Sequence, residues 1–166
     1  MYGLRTLAVV FSVISLFAEV SMPLGVCADA ARELQGMVGD WSCVDRDSDA
    51  VVTRFTNRAK IYGDWLRLDS SFAAEPRHAP VTGITFLGRD AARQRWIITA
   101  VIETGEYWVR SSPSKHLDGS RWVDAYPADG ATAVLRLPQP GRRWTFQLTQ
   151  ASGSKAFESN VTCDRI

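Results

Sequence analysis

Leu34-Gln35-Gly36-Met37-Val38-Gly39-Asp40-Trp41-Ser42-Cys43 is the stretch on which the fold turns. Gly39 has no Cβ, so the chain can bend sharply there. Trp41 then sets a large ring with one polar N–H at the mouth of a strand, where it can plug one end of a sheet that curls closed. From Gly39 onward, segments of about eight residues alternate apolar and polar side chains between turn residues, which is the all-β pattern. Ten strands are expected, at about residues 40–46, 50–58, 64–72, 80–87, 94–103, 106–111, 121–126, 132–137, 143–150 and 156–165. The turns between them are assigned to Gly63, Gly88, Gly105, Gly119, Gly130, Gly141 and Gly153, residues that tolerate positive φ. Links this short join neighbours, so the expected topology is an up-and-down antiparallel meander.

Toward the amino terminus the composition changes. Arg5 precedes an apolar run from Leu7 to Phe17 interrupted only by Ser12 and Ser15, shorter than the roughly 20 residues of a membrane span. Pro23, Gly25 and small residues follow, so residues 1–28 are expected to be a signal peptide, cleaved after Ala28 or Ala30. Glu19 at the end of the run leaves an uncleaved anchor open. Leu24-Gly25-Val26-Cys27, which loosely resembles a lipobox, leaves lipidation of Cys27 open. Removal of residues 1–28 leaves 138 residues, 29–166, enough for one domain with its own core. The expected location is periplasmic or secreted. Residues 29–35 can form one or two helical turns, with Asp29 as cap and Ala31, Leu34 and Val38 along one side.

Cleavage also removes Cys27 and leaves Cys43 and Cys163. In an oxidising compartment such a pair is expected as a disulfide. Cys43 lies on the first strand and Cys163 on the last. A bridge between them needs Cα atoms within about 7 Å, which closes the meander and removes its two exposed edges. Side-chain parity agrees, with Trp41 and Cys43 on one face of their strand and Phe157, Val161 and Cys163 on one face of theirs, both sets looking inward or interfacial. By the same alternation Tyr107 and Val109 are expected inward against Trp108 and Arg110. Ala133, Leu135, Leu137, Trp144, Phe146 and Leu148 are likewise assigned to the interior, and strand 94–103 is apolar on both faces.

The opening Leu34-x-Gly36 and Gly39-x-Trp41, followed by an antiparallel meander, resembles the lipocalin-like (calycin) barrels. Phe86-Leu87-Gly88-Arg89-Asp90, Trp96-Ile97-Ile98-Thr99 and the terminal Cys163-Asp164-Arg165 are similar to a group of uncharacterised secreted bacterial proteins of that kind. Arg89 stands where that resemblance leads one to expect an aromatic residue. The resemblance implies an all-β, up-and-down barrel of about 8–10 strands after a short helix, and fold alone does not assign function.

The chain carries 19 basic and 18 acidic residues, a near-balance that points away from nucleic acid and from anionic membranes as partners. There is no C-x-x-C, H-E-x-x-H, phosphate-binding glycine loop or G-x-S-x-G elbow. Neither a catalytic residue, a metal site nor a cofactor is assigned. His78 and His116 are read as surface residues, and Asp118, Asp124 and Asp129 as turn-type carboxylates rather than a Ca²⁺ set. Six tryptophans suggest either core packing or a cavity wall. The first functional expectation is a non-enzymatic barrel holding a small apolar ligand near Trp41, Trp96, Tyr107 and Trp144. The alternatives are an envelope interaction or inhibitor module acting through loops 73–80 and 111–121, and an enzyme at the barrel mouth using His116, Asp118 and Ser120.

Overall fold

The strands anticipated from alternation pair with their sequence neighbours, and the last pairs with the first. The structure is a computed structural model describing residues 24–73, 80–126, 130–152 and 155–166. Helix α1 (Leu24–Gln35) is followed by β1 (Gly39–Asp47), β2 (Val52–Tyr62), β3 (Trp65–Phe72), β4 (Val81–Asp90) and β5 (Arg95–Ile102). Then come β6 (Tyr107–Ser112), β7 (Ser120–Tyr126), β8 (Thr132–Gln139), β9 (Arg143–Ser152) and β10 (Lys155–Arg165). Every neighbouring pair is antiparallel, and β1 meets β10 to close a ten-stranded barrel. Cys43 and Cys163 stand directly opposite each other in that seam and are disulfide-bonded, with Cα atoms 4.1 Å apart. Among the described residues, no helix is long and apolar enough to cross a membrane.

One end of the barrel is stopped by its own entry segment. Ala30, Leu34 and Met37 are buried at 8%, 1% and 3% exposure and join the core. Ala31 is exposed and Val38 only half-buried, so the expected Ala31–Leu34–Val38 stripe is displaced, and Asp29 lies inside the helix rather than capping it. The reason is local. After Gln35 the chain tightens into three-residue turns, Met37 N donating to Leu34 O and Val38 N to Gln35 O, so helical spacing no longer decides which side chain turns in.

Trp41 completes the plug. Its Nε1 donates to Met37 O (2.8 Å), its ring meets Trp144 edge-on with centroids 6.3 Å apart, and the Arg165 guanidinium lies 5.6 Å from its ring centre. Arg165 also donates to Val38 O and, at 2.8 Å, to Gly141 O. That geometry explains the glycine two places before the tryptophan. Gly39 has φ 139°, and a Cβ there would sit 2.6 Å from Arg165 Nη2.

Gly88, expected in a turn, lies instead within β4, and the β4–β5 turn falls at 91–94. Across from it on β3, the Trp65 ring covers the glycine so closely that any Cβ would overlap it. The aromatic group that the sequence lacks after Gly88 thus arrives from the neighbouring strand. The facing expected for β6 is also reversed. Ile98 pairs with Arg110 and Ala100 with Trp108, so Trp108 and Arg110 point inward while Tyr107 is 51% exposed outside. An arginine was assigned to solvent on hydropathy alone, and a partner across the next strand overrides that preference.

Replacing Cys43 and Cys163 together by Ser is expected to lower the unfolding free energy by up to about 4 kcal/mol, read as a fall in denaturant midpoint. Gly39→Ala is expected to cost about 1–3 kcal/mol through its backbone alone, measured the same way with the disulfide intact.

Candidate functional site

The inner wall of the barrel divides into two halves. Toward α1, Leu66, Leu87, Trp96, Trp122 and Cys163 lie at 0–1% exposure, so that half is filled. Further from α1, Phe55, Ile98, Trp108, Phe146, Leu148 and Val161 remain only half-buried, although the register turns each of them inward. In a closed barrel an inward side chain reaches solvent through the lumen. The distal half is therefore a less completely covered cup, whose aromatic and aliphatic wall is partly open to solvent while Phe55, Ile98, Phe146, Leu148 and Val161 still pack against the core; apolar walls of this kind hold small apolar molecules.

Two strands place a charged pair inside this cup. On β6, Trp108 and Arg110 are two residues apart and share a face; on β7, Trp122 and Asp124 do the same. A register shift between Val109 and Arg110 pairs Arg110 with Asp124 and leaves Ala125 as an extra residue, a bulge that re-aims side chains. Arg110 Nε donates to Asp124 Oδ1 at 2.6 Å, with the two side chains 9% and 3% exposed. The guanidinium carbon stands 4.3 Å from the Trp108 ring centre, a cation–π contact. Among the described residues no acceptor takes a hydrogen bond from either terminal nitrogen of Arg110. Elsewhere on the inner wall, where β10 meets β1, Ser159 Oγ donates to Asp45 Oδ1 (2.7 Å). Asn57 Nδ2 reaches Cys43 Sγ (3.5 Å), and its buried Oδ1 has no hydrogen-bond partner. A buried ion pair contributes little net stability, because desolvation offsets the attraction.

The residues singled out from sequence are distributed differently. Trp41, Trp96 and Trp144 all lie in the filled half, at 1%, 0% and 7% exposure. Tyr107 is on the outer surface, stacked on Tyr126 with ring centroids 5.1 Å apart, and cannot line the lumen. The 113–119 loop straps the end capped by α1. There His116 Nδ1 meets Glu33 Oε1 (3.2 Å), Leu117 N donates to Glu33 Oε2, and Asp118 Oδ1 accepts from Leu137 N (2.6 Å). Ser120, fully buried, accepts from Trp122 Nε1 (2.8 Å). His116, Asp118 and Ser120 are thus tied to three different partners and not to one another. Asp118 and Asp124 belong to opposite ends of β7, and among the described residues no group of three His, Cys, Asp or Glu side chains could hold a metal. His78, Asp129 and residues 74–79 lie outside the described residues.

Two further hollows exist. One of about 210 Å³ lies beside α1, lined by Glu33, Arg89, Trp96 and His116 among others. There Arg89 holds the loop by donating to Ser114 O, Lys115 O and Gln94 O. A groove of about 770 Å³ crosses the outside of β1–β4, where Asp40 and Arg58 are paired with each other (2.9 Å). Alternation did not find the inward Arg110. The available signal was complementary charge on adjacent strands, each charge two residues from a tryptophan.

No family model and no curated protein matches the chain. Solved structures similar to it include a barrel titled EF1p2_mFAP2b bound to DFHBI, 10% identical with a TM-score of 0.50, covering 82% of this chain and 99% of that one. A redesigned β-barrel (14% identical, TM-score 0.49) covers 83% of this chain and 96% of its own. Another, mFAP1 bound to DFHBI (13%, TM-score 0.47), covers 81% and 99%. At these identities the likeness to the first shows the fold, a closed antiparallel barrel of the lipocalin-like kind.

Arg110→Met is expected to destabilise the protein by about 3 kcal/mol, since it takes the guanidinium away from the Asp124 carboxylate, whereas Arg110→Met with Asp124→Leu recovers most of that loss. Urea unfolding of the two variants checks both directions.

Proposed function

We propose that the protein is an exported, non-enzymatic barrel that binds a small, largely apolar ligand in the distal half of its lumen. The observation that carries this reading is the contrast within one inner wall, packed to 0–1% exposure beside α1 yet accessible around Phe55, Ile98, Trp108, Phe146, Leu148 and Val161. A barrel evolved only to be stable has no reason to leave aromatic surface uncovered, because each uncovered Å² forgoes about 25 cal/mol of burial. The similar barrel bound to DFHBI has the same fold, but the argument for a ligand rests on this chain's own lumen. Trp41, Trp96 and Trp144 form the packed base beneath that lumen, and the wall is supplied by other residues than these.

Export is part of the proposal. Support comes from the basic and apolar character of residues 1–28 and from a disulfide, which persists in oxidising compartments. Membership of the lipocalin-like secreted proteins is proposed on the Gly39-x-Trp41 opening together with the barrel it begins. An interaction module remains a second reading only for the outer apolar surface that Val101, Tyr107, Val123 and Tyr126 leave exposed at 50–55%.

Titration with an environment-sensitive apolar dye is expected to show saturable binding at one site per chain, with a change in tryptophan fluorescence from Trp108. Ala100→Trp, on the inner face of β5 opposite Trp108, fills the lumen and is expected to weaken dye binding at least about tenfold, roughly 1.4 kcal/mol. Dye binding that persists unchanged in that variant would place the dye elsewhere and defeat the reading.

A further inference from the structure

The charges inside the cup restrict what its ligand can be. Resting on the lumen-binding reading above, we infer that the ligand carries an uncharged oxygen acceptor, a carbonyl or hydroxyl group on an apolar body, and that Arg110 receives that oxygen. Arg110 supplies the attraction. Its side chain is nine-tenths buried, its Nε is taken by Asp124, and its terminal nitrogens donate to nothing in the described protein. Those two groups do not figure among the polar atoms sealed from solvent without a partner, so they face space that an oxygen can occupy. Donors in such a site left unmatched by a ligand are costly, which makes an oxygen at this position a requirement for tight binding rather than an accessory to it.

The same surroundings exclude an anion. The inward ionisable groups of the distal half whose side chains are described are Arg110, Asp124 and Asp45. Asp47, at the rim, is turned back on the amides of Asp49 and Val51. Arg110 is already paired with Asp124, so its charge is balanced before any ligand enters. A carboxylate head bonded to the terminal nitrogens of Arg110 would compete with Asp124 for one guanidinium, in a medium where like charges repel several-fold more strongly than in water. An oxygen without charge takes the same two hydrogen bonds and meets no such repulsion. Trp108, stacked on the guanidinium at 4.3 Å, holds the fork in one plane and offers its ring edge to the apolar body beside the head group.

The test uses four probes of one chain length, a primary alcohol, a methyl ketone, a carboxylate and a primary amine, titrated into the full disulfide-bonded protein at neutral pH. The alcohol and ketone are expected to bind at least about tenfold more tightly than the carboxylate and the amine. Asp124→Asn removes a negative charge while keeping the shape, and is expected to raise carboxylate affinity about tenfold while changing the alcohol by less than about twofold. Should that variant fail to fold, Asp45→Asn serves in its place, with an expected gain for the carboxylate of about threefold. Equal affinities across the four probes, a preference for the carboxylate or the amine in the wild-type protein, or a carboxylate affinity unmoved by the asparagine variants would each overturn the inference while leaving lumen binding intact. Failure of all four to bind, with the dye also unbound, would instead remove the lumen-binding reading on which the inference stands.

Discussion

Closure of β1 against β10 is the constraint on which everything else in this protein depends. A ten-stranded meander has two edges of unpaired backbone donors and acceptors, and joining them satisfies both at once. Cys43 and Cys163 fix the register of that joint, because a disulfide between directly opposed residues permits no slip. Once the register is set, inward and outward faces are decided for all ten strands in turn. The plug follows from the same seam. Arg165, near the end of β10, faces Trp41 near the start of β1, so the strand pairing that closes the barrel also brings the guanidinium over the ring that stops its end.

Stopping one end leaves the less filled half of the lumen at the other. Helix α1, Trp41, Trp144 and the strap made by the 113–119 loop consume the large apolar side chains in the half of the barrel nearest the helix. A ten-stranded barrel is wider than the eight-stranded barrels that already hold a small ligand, and the side chains of the distal half are covered less completely than those beside α1. Its wall is largely apolar, with Arg110, Asp124, Asp45, Ser159 and Asn57 among its polar members. The loop that carries His116, Asp118 and Ser120 has the residue types of hydrolytic chemistry. Its hydrogen bonds to Glu33, Leu137 and Trp122 give each of the three a structural role instead.

The Arg110–Asp124 pair is not explained by stability alone. Apolar residues of similar volume in the two positions would serve the core as well or better. The pair sits where the bulge in β7 aims it, against Trp108, with donors left over. Surplus donors at a desolvated position make sense as part of recognition and have no evident purpose in packing.

Strand number and order were legible from alternation and turn residues, and strand limits to within about two residues except at the far ends of β2 and β4, because a sheet with one buried face writes a period of two into its sequence. The disulfide was legible too, from a cysteine on the first and last strand, as were the inward tryptophans at 41 and 144 beside charged or polar neighbours. The facing of β6 was not, since Tyr107 and Val109 are no less apolar than Trp108, and local hydropathy has no means of knowing that Arg110 will meet Asp124. Nor was the role of Gly88, whose neighbour Trp65 is distant in sequence and adjacent only across the sheet. Periodicity along one strand determined the architecture. The site was decided by which side chains face each other across strands, and that depends on a register set by the closed barrel as a whole.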